Sequence, residues 1–495
     1  MTPFNANSLQ EEIHYSCSQS VDAFQLYKNT SLQQRHALMH TIANKLQQNQ
    51  DALIRIATNE THLSADRLQT EFNRTLFQWR SYADHCLSGY WLNACIDSPT
   101  AQGKDIRKTM IPLGPVAVFG ASNFPFAYST AGGDSVSALA AGCSVIIKGH
   151  PAHPHTSSTC AELIRQAIRE KGLPENIFIH VHSASFEVGE ALVKHPHVKS
   201  VAFTGSLEGG RQLFNWAAAR PTPIPVFAEM GSLNPIFILP EIQDSSIEHL
   251  ASNIYDSILS SMGQFCTKPG LIIGIDSPTF TSFTSALSKL FSKSSASPLL
   301  HVGILNNYNK NLKKVVSSKL VNTLASSQLP IPDNSGIPLL ASISAEAFIH
   351  APELQQEVFG PFSLVILCKN NDEMKNIAEA LGGQLTATLI GTNEEIRENE
   401  ELYQLLSSIA GRVIINGIPT GVDVCLSMQH GGPYPASTDS RFTAVGGDAI
   451  KRFVRPVCFQ NVPDDLLPAA LKNENPLGIY RMINNQLTKD PIHTT

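Results

Sequence analysis

Cys266 stands in Gly263-Gln264-Phe265-Cys266-Thr267-Lys268-Pro269-Gly270, a tight-turn signature between a long helical pattern and a buried strand. A turn of this kind can present a thiol at a junction between domains. Its thiolate is nucleophilic when the pKa is depressed, and backbone N–H groups of the turn can stabilise an oxyanion beside it. Glu229 ends the apolar run Phe227-Ala228-Glu229, where a buried carboxylate can act as a general base. Asn123 follows the first strand-like run, in Phe119-Gly120-Ala121-Ser122-Asn123-Phe124-Pro125-Phe126, and can donate its amide to an oxyanion. Phe203-Thr204-Gly205-Ser206 leads a strand into a helix whose first-turn N–H groups could meet a phosphate. Taken singly, each also fits a structural role: a small buried thiol, a strand-end carboxylate, a turn-forming amide. No G-x-G-x-x-G or Walker A pattern occurs, so these residues alone do not establish nucleotide binding.

Positioning such residues requires a sheet. Two helical segments open the chain, one over residues 32–49 with apolar Leu38, Met39, Ile42, Ala43 and Leu46, the other over residues 51–87. From Gly114 onward, short β-rich runs alternate with helical ones: 116–119, 131–141, 145–148, 156–171, 177–181, 185–194, 198–204, 208–219 and 225–229. That alternation predicts a doubly wound parallel sheet of five strands, with ligands at the carboxyl ends of the strands. Beyond Met230 the alternation resumes with a strand at 235–239, a helix from about 245 to 262 and a strand at 271–275. The Ser- and Pro-rich stretches 291–298 and 321–338 read as surface connections. Residues 453–462, a β-rich run broken by a proline, read as an edge strand or an intersubunit contact.

The whole composition narrows the function. With 495 residues, 42% hydrophobic and 16% charged, the chain can bury a large globular core. Lys plus Arg number 36 against 42 for Asp plus Glu, a net charge of −6, which lacks the basic surface that nucleic-acid binding demands. The longest apolar stretch, residues 138–147, contains Gly142 and Ser144 and is too short to span a membrane. The N-terminus lacks the basic and apolar regions of a secretory signal, and the nine cysteines are scattered without a C-x-x-C pair. Free thiols in a cytoplasmic protein follow. His150, His153 and His155 cluster after one strand and His180 and His182 after the next, without a Cys or carboxylate at ligand spacing around the first cluster. They read as a solvated loop, and no metal is expected.

The ordered set of Asn123 in NFPF, Lys148 after a strand, FTGS at Phe203 to Ser206, Glu229 in AEMGSLNP, Cys266 in GQFCT, and Glu357-Val358-Phe359-Gly360-Pro361 resembles the aldehyde dehydrogenase superfamily over about residues 32–462. The segments FGASNFPFAYSTAGGDSVSALAAGCSVIIKGHPAHP, GQFCTKPG and HGGPYPASTDSRFTAVG resemble the branch that holds α-ketoglutaric semialdehyde (2,5-dioxopentanoate) dehydrogenases and a bacterial fatty aldehyde dehydrogenase. The resemblance implies an α/β fold with a doubly wound cofactor domain, an α/β catalytic domain and a small β oligomerisation element. The chain then divides into N-terminal helices (1–100), a dinucleotide-binding domain (114–229), a catalytic domain (230–425), a return segment at the substrate mouth (426–449), and oligomerisation strands and tail (101–113 with 450–495).

The resemblance also implies roles. Cys266 attacks the aldehyde, Asn123 holds the oxyanion, and Glu229 activates water to hydrolyse the thioester. Lys148 would bond the adenosine ribose, Ser206 the pyrophosphate and Glu357 the nicotinamide ribose, with Phe359 beside the nicotinamide. Many relatives carry a carboxylate where this chain has Pro151, which removes one barrier to NADP. Glu208 stands where some relatives have arginine and would repel a 2'-phosphate, which tips the expected cofactor, NAD or NADP, towards NAD. For the substrate, 2,5-dioxopentanoate is expected, with Arg441 as the candidate cation for its far end. Phe126 and Phe265 could line an apolar tunnel suited to the alternative, a medium- or long-chain aldehyde. A homodimer or homotetramer is expected. A rival of another class, a hydrolase or acyltransferase pairing Cys266 with His430, explains the thiol but leaves Glu357, Lys148 and FTGS without a role.

Overall fold

A computed structural model describes residues 6–241 and 246–492. Helices Ala6–Tyr27, Leu32–Gln48, Gln50–Thr61 and Ala65–Ser88 open the chain. The stripe Leu38, Met39, Ile42, Ala43 and Leu46 is fully buried, as its 3.6-residue period requires. The second expected helical run breaks in two because His62 adopts a left-handed conformation, φ 57°, and Ser64 starts the next helix by accepting from the Arg67 N–H. The first helix, Ala6–Tyr27, was absent from the sequence reading.

Five parallel strands follow in the order Phe178–Val181, Val145–Lys148, Val116–Phe119, Ser200–Thr204, Val226–Glu229. Helices Gly133–Ala141, Pro154–Glu170, Phe186–Lys194 and Leu207–Ala218 connect them. Winding starts at Val116–Phe119, runs outward through two strands, then reverses to the other side with Ser200–Thr204. The crevice of such a sheet opens where the order reverses, so Gly120 to Asn123 and Gly205-Ser206 flank it.

A second sheet of seven strands has the order Asn322–Ser326, Leu339–Ser344, Phe362–Cys368, Leu271–Ile275, Ile236–Ile238, Gln384–Ile390, Ala410–Ile415, all parallel except the first. The Asn322–Ser326 strand corrects the expectation of a plain connection at 321–338. Its polar residues read as a loop, yet they pair antiparallel along the sheet edge, where one side faces water. The helix expected from about 245 is observed as Ile247–Leu259, and Ser245 lies outside the described residues. A third sheet, in the order Val454–Gln460, Ile106–Pro112, Cys95–Asp97, Arg481–Ile483, Gln486–Thr488, joins the two ends of the chain. Pro456 lies in its edge strand opposite Met110, a place where a missing N–H is tolerated. Among the described residues no helix is long and apolar enough to cross a membrane.

Candidate active site

The turn that carries Cys266 is produced by an abrupt end to a helix. After Ile247–Leu259, the residues Ser261, Met262 and Gly263 adopt φ values of 48°, 55° and 68° in succession. A Cβ on Gly263 would lie 2.1 Å from the Gly360 carbonyl oxygen, so only glycine fits where this turn meets the Glu357 loop. The chain then reverses through Gln264 to Thr267 into the strand Leu271–Ile275, and Asn234 ties the turn down by donating to the Cys266 and Lys268 carbonyls at 2.8 and 3.0 Å.

Cys266 Sγ lies 3.6 Å from His430 Nε2, which in turn lies 3.1 Å from Glu229 Oε1. Glu229 ends the last strand of the first sheet and bridges Ser437 of the return segment. That segment holds His430 through its backbone, which accepts from the Ala444 N–H at 2.8 Å and donates to Thr443 Oγ1 at 2.9 Å. His430 and Glu229 are both buried. Burial pushes the Cys266 thiol well above its ordinary value, and the negative charges of Glu229 and Glu357 push it further. This thiol is therefore protonated at neutral pH and needs a base, which the imidazole beside it can provide. The sequence offered His430 only as the partner of a hydrolytic cysteine; here it forms one cluster with the thiol and Glu229, a ring nitrogen, the sulfur and a carboxylate oxygen all lying within 4.8 Å of one another.

Asn123 Nδ2 donates to the Gln264 carbonyl at 3.0 Å, one turn from the thiol. The Asn123 backbone carbonyl accepts from Arg67 Nη2 at 3.0 Å, and Arg67 pairs with the buried carboxylate of Glu71. The other Glu71 oxygen accepts from the N–H groups of Phe126 and Ala127 at 2.7 and 2.9 Å. A buried ion pair on the helix Ala65–Ser88 thus clamps both ends of the 123–127 turn, a contribution that sequence reasoning missed.

Cys266 lines two cavities. The first, about 400 Å³, is walled by Gly120 to Asn123, Phe203 to Ser206, Glu229, Gly231, Glu357 and Phe359. Gly205 and Gly209 leave it open, since a Cβ on either would meet the Phe203 ring at 3.0 Å or less. The helix Leu207–Ala218 begins at its wall, which suits a phosphate-bearing ligand, so the residues present fit a dinucleotide. Ser206, Glu357 and Phe359 of the expected cofactor residues line this cavity. Lys148 donates to the Ser183 carbonyl at 2.7 Å instead, and Pro151 and Glu208 are exposed outside the wall. Glu357 is pushed up to about 7 by burial, and Lys268 is pushed down to about 8 by burial. Lys268 also fixes the Glu357 loop by donating to the Val358 and Phe362 carbonyls at 3.0 and 2.8 Å. The histidine loop is not solvated as expected: His153 is buried with Nε2 2.9 Å from the Ala121 carbonyl oxygen, and His150 and His301 line the cavity.

The second cavity, about 430 Å³, is lined by Arg67, Thr70, Glu71 and Arg74 of one helix, with Phe124, Tyr128, Phe265 and Val422 opposite. Phe265 lines this cavity. Phe126 does not: it is fully buried against the Phe72 ring, because the turn at Pro125 sends Phe124 to the cavity and Phe126 to the core. Arg441 also lies elsewhere; its side chain is 79% exposed and pairs with Asp439, so this segment puts its guanidinium into solvent.

The sequence profile of the aldehyde dehydrogenase family matches residues 5–453. The chain is similar to an alpha-ketoglutaric semialdehyde dehydrogenase of Acinetobacter baylyi, 42% identical over 97% of this chain and 92% of the relative. It is also similar to alpha-ketoglutaric semialdehyde dehydrogenase 2 of Azospirillum brasilense, 41% identical over 96% and 91%. Among solved structures, a Staphylococcus aureus betaine aldehyde dehydrogenase in complex with NAD+ superposes with a TM-score of 0.79 at 18% identity, covering 91% of this chain and 89% of that one. Glyceraldehyde-3-phosphate dehydrogenase GapN of Methanocaldococcus jannaschii, complexed with NADP, gives 0.77 at 17% identity, covering 91% and 94%. The chain therefore belongs to the aldehyde dehydrogenase family, as an oxidoreductase that acts on aldehydes with a nicotinamide cofactor.

Proposed function

We propose that the protein oxidises 2,5-dioxopentanoate to 2-oxoglutarate with NAD, Cys266, Glu229 and Asn123 being the catalytic residues. The observation that carries the reading is Cys266 at the junction of two cavities, one fitted to a dinucleotide, with a base at 3.6 Å. The substrate assignment is supported by the semialdehyde relatives, which align along nearly the whole chain.

The steps follow from the groups present. As Cys266 Sγ bonds to the aldehyde carbon, its proton passes to His430 Nε2, and the imidazolium formed is stabilised by Glu229 Oε1. The new oxyanion is met by the second N–H of the Asn123 amide, whose other N–H is held by Gln264, and by the Cys266 backbone N–H. The nicotinamide cofactor, when bound, supplies the hydride acceptor that turns this thiohemiacetal into a thioester. Glu229 then takes a proton from water, which attacks the thioester carbon; the C–S bond breaks, the departing thiolate recovers the proton held on His430, and the acid leaves. Glu357, Phe359 and Ser206 hold the cofactor from the first cavity. Lys148 and Glu208 lie outside the first cavity's wall; they are assigned to the adenosine ribose and to disfavouring a 2'-phosphate for a cofactor that extends past the wall to reach them, and NAD over NADP rests on that extension.

In this reading the His430 pair serves an oxidoreductase rather than a hydrolase, because only the former uses the Glu357 and Ser206 cavity. The nine free thiols support a cytoplasmic setting, and the edge strand Val454–Gln460 supports a homo-oligomer. Absorbance at 340 nm with 2,5-dioxopentanoate, pentanal and decanal and each cofactor tests the reading. Reduction of NAD fastest with the keto acid is expected. A tenfold preference for decanal, about 1.4 kcal/mol in transition-state binding, would replace the substrate by a fatty aldehyde.

A further inference from the structure

The second cavity holds a cation, Arg74, that forms no salt bridge among the described residues. Arg67 and Arg74 lie on one face of the helix Ala65–Ser88, and both line the cavity that Cys266 closes. Their surroundings differ. The charge of Arg67 is matched by Glu71, and its guanidinium is packed 4.4 Å from the Phe124 ring centre and 5.2 Å from that of Phe265. The two Glu71 oxygens are occupied by Arg67 and by two backbone N–H groups, so this pair is complete. Arg74 donates only to neutral acceptors, at long distances: Gln78 Oε1 at 3.3 Å, the Tyr128 hydroxyl at 3.1 Å and the Val422 carbonyl at 3.4 Å. Among the described residues no carboxylate forms an ion pair with it. Asp423, the other acid of the cavity wall, is exposed at the rim.

The guanidinium is held in the cavity wall by neutral oxygens, with Glu71 acting on it through space rather than through a salt bridge, and a carboxylate entering the cavity could make the short, charge-assisted hydrogen bonds it lacks. Arg74 stacks 5.1 Å from the Tyr128 ring centre, and that ring lies 6.2 Å from the His430 ring. The cation is thus one aromatic ring removed from the base at the thiol. This spacing suits an anion at the far end of a short substrate whose aldehyde sits at Cys266.

We propose that Arg74 recognises the distal carboxylate of the semialdehyde substrate, the role expected of Arg441. This rests on the assignment of 2,5-dioxopentanoate above. The readout is the ratio of kcat/KM for 2,5-dioxopentanoate to that for pentanal, in wild type, Arg74→Met, Arg74→Lys and Arg441→Met. Arg74→Met should lower the ratio about 100-fold, chiefly through KM for the keto acid, Arg74→Lys should recover part of it, and Arg441→Met should not move it. An unchanged ratio in Arg74→Met, or a fall in Arg441→Met instead, overturns the proposal. Glutarate as a competitive inhibitor of pentanal oxidation separates the two readings. If wild type prefers pentanal yet glutarate inhibits it, and Arg74→Met raises the inhibition constant tenfold or more, the substrate assignment fails while Arg74 stands as the anion site. If glutarate inhibits both enzymes equally, Arg74 is not that site.

Discussion

Replacing His430 by Asn isolates the base that the thiol requires. Asparagine fills most of the imidazole volume and keeps the backbone bonds to Thr443 and Ala444, but it cannot take a proton at neutral pH. Because burial and the nearby carboxylates hold the Cys266 thiol well above the ordinary thiol range, less than about 3% is ionised at pH 7 even at the reference value near 8.5. A positioned general base contributes about 10² to 10⁴ in rate. The variant should therefore lose about 10² to 10³ in kcat/KM, or about 2.7 to 4.1 kcal/mol of transition-state stabilisation. The sign of the pH effect follows from the same shift. Without a base, attack depends on thiolate formed by solvent, so log kcat/KM in His430→Asn should climb with a slope near one from pH 7 to 9. The wild-type slope should be shallower. Alkylation of Cys266 by iodoacetamide, followed across the same pH range with the other cysteines as internal controls, reads the thiol directly. A parallel pH profile for both enzymes, in turnover and in alkylation, would refute proton transfer to His430.

Glu229→Gln should release about one reduced cofactor per site in a burst and then stall, because thioester formation precedes the step that needs activated water; rapid-mixing absorbance at 340 nm measures it, and steady turnover at the wild-type rate would exclude Glu229 as the deacylation base. Burial raises Glu357 to about 7, so its carboxylate, the form that accepts from ribose hydroxyls, gains population as pH rises through that value. The cofactor KM should fall from pH 6 to 8 in wild type and stay flat in Glu357→Gln. The same raised pKa favours the folded state most below the unfolded value near 4.5, a contribution lost as pH rises towards 7. Glu71→Gln leaves Arg67 without its carboxylate and should destabilise the fold by about 3 kcal/mol, seen as a lower Tm, with kcat reduced alike for 2,5-dioxopentanoate and pentanal because the Asn123 turn loosens. Light scattering at micromolar concentration should give a dimer or tetramer, with a stable monomer contradicting assembly through the edge strand Val454–Gln460.

The parallel sheet around Val116–Phe119 was readable because its strands are short apolar runs, each but the last with a helical pattern after it, a combination with few alternative folds. The elements that escaped have mixed surfaces. The helix Ala6–Tyr27 buries Ile13, Cys17, Ser20, Ala23, Phe24 and Tyr27 while exposing Tyr15 and Leu26, so its apolar stripe has little contrast with its outer face. The strand Asn322–Ser326 exposes Asn322, Thr323 and Leu324 and owes its conformation to pairing with Leu339–Ser344. Tertiary context, not local propensity, decides such segments.

The same distinction separates the residues that make and break bonds from those that choose the substrate. Only a few side chains can attack a carbonyl or activate water, so Cys266, Glu229 and Asn123, the residues proposed for this chemistry, could be picked out by type and by place at strand ends or turns. Recognition of a distal charge can be supplied by any arginine that the fold brings to the cavity, and type no longer discriminates. Arg441 was chosen because it follows a segment close to the mouth, but Asp439 two residues earlier satisfies it locally. Arg67 and Arg74 lie on a helix read from the sequence only as an apolar-periodic run, and both come to the cavity only because Phe72, Leu76 and Trp79 on the same helix are buried in the core. Between them the deciding feature is the position of Glu71, one helical turn after Arg67 and one before Arg74. Its carboxylate could have served either arginine. It is directed to Arg67 by the Phe126 and Ala127 N–H groups that fix its other oxygen, and that choice, made by a turn more than fifty residues away in sequence, leaves Arg74 in the cavity wall without a salt bridge of its own.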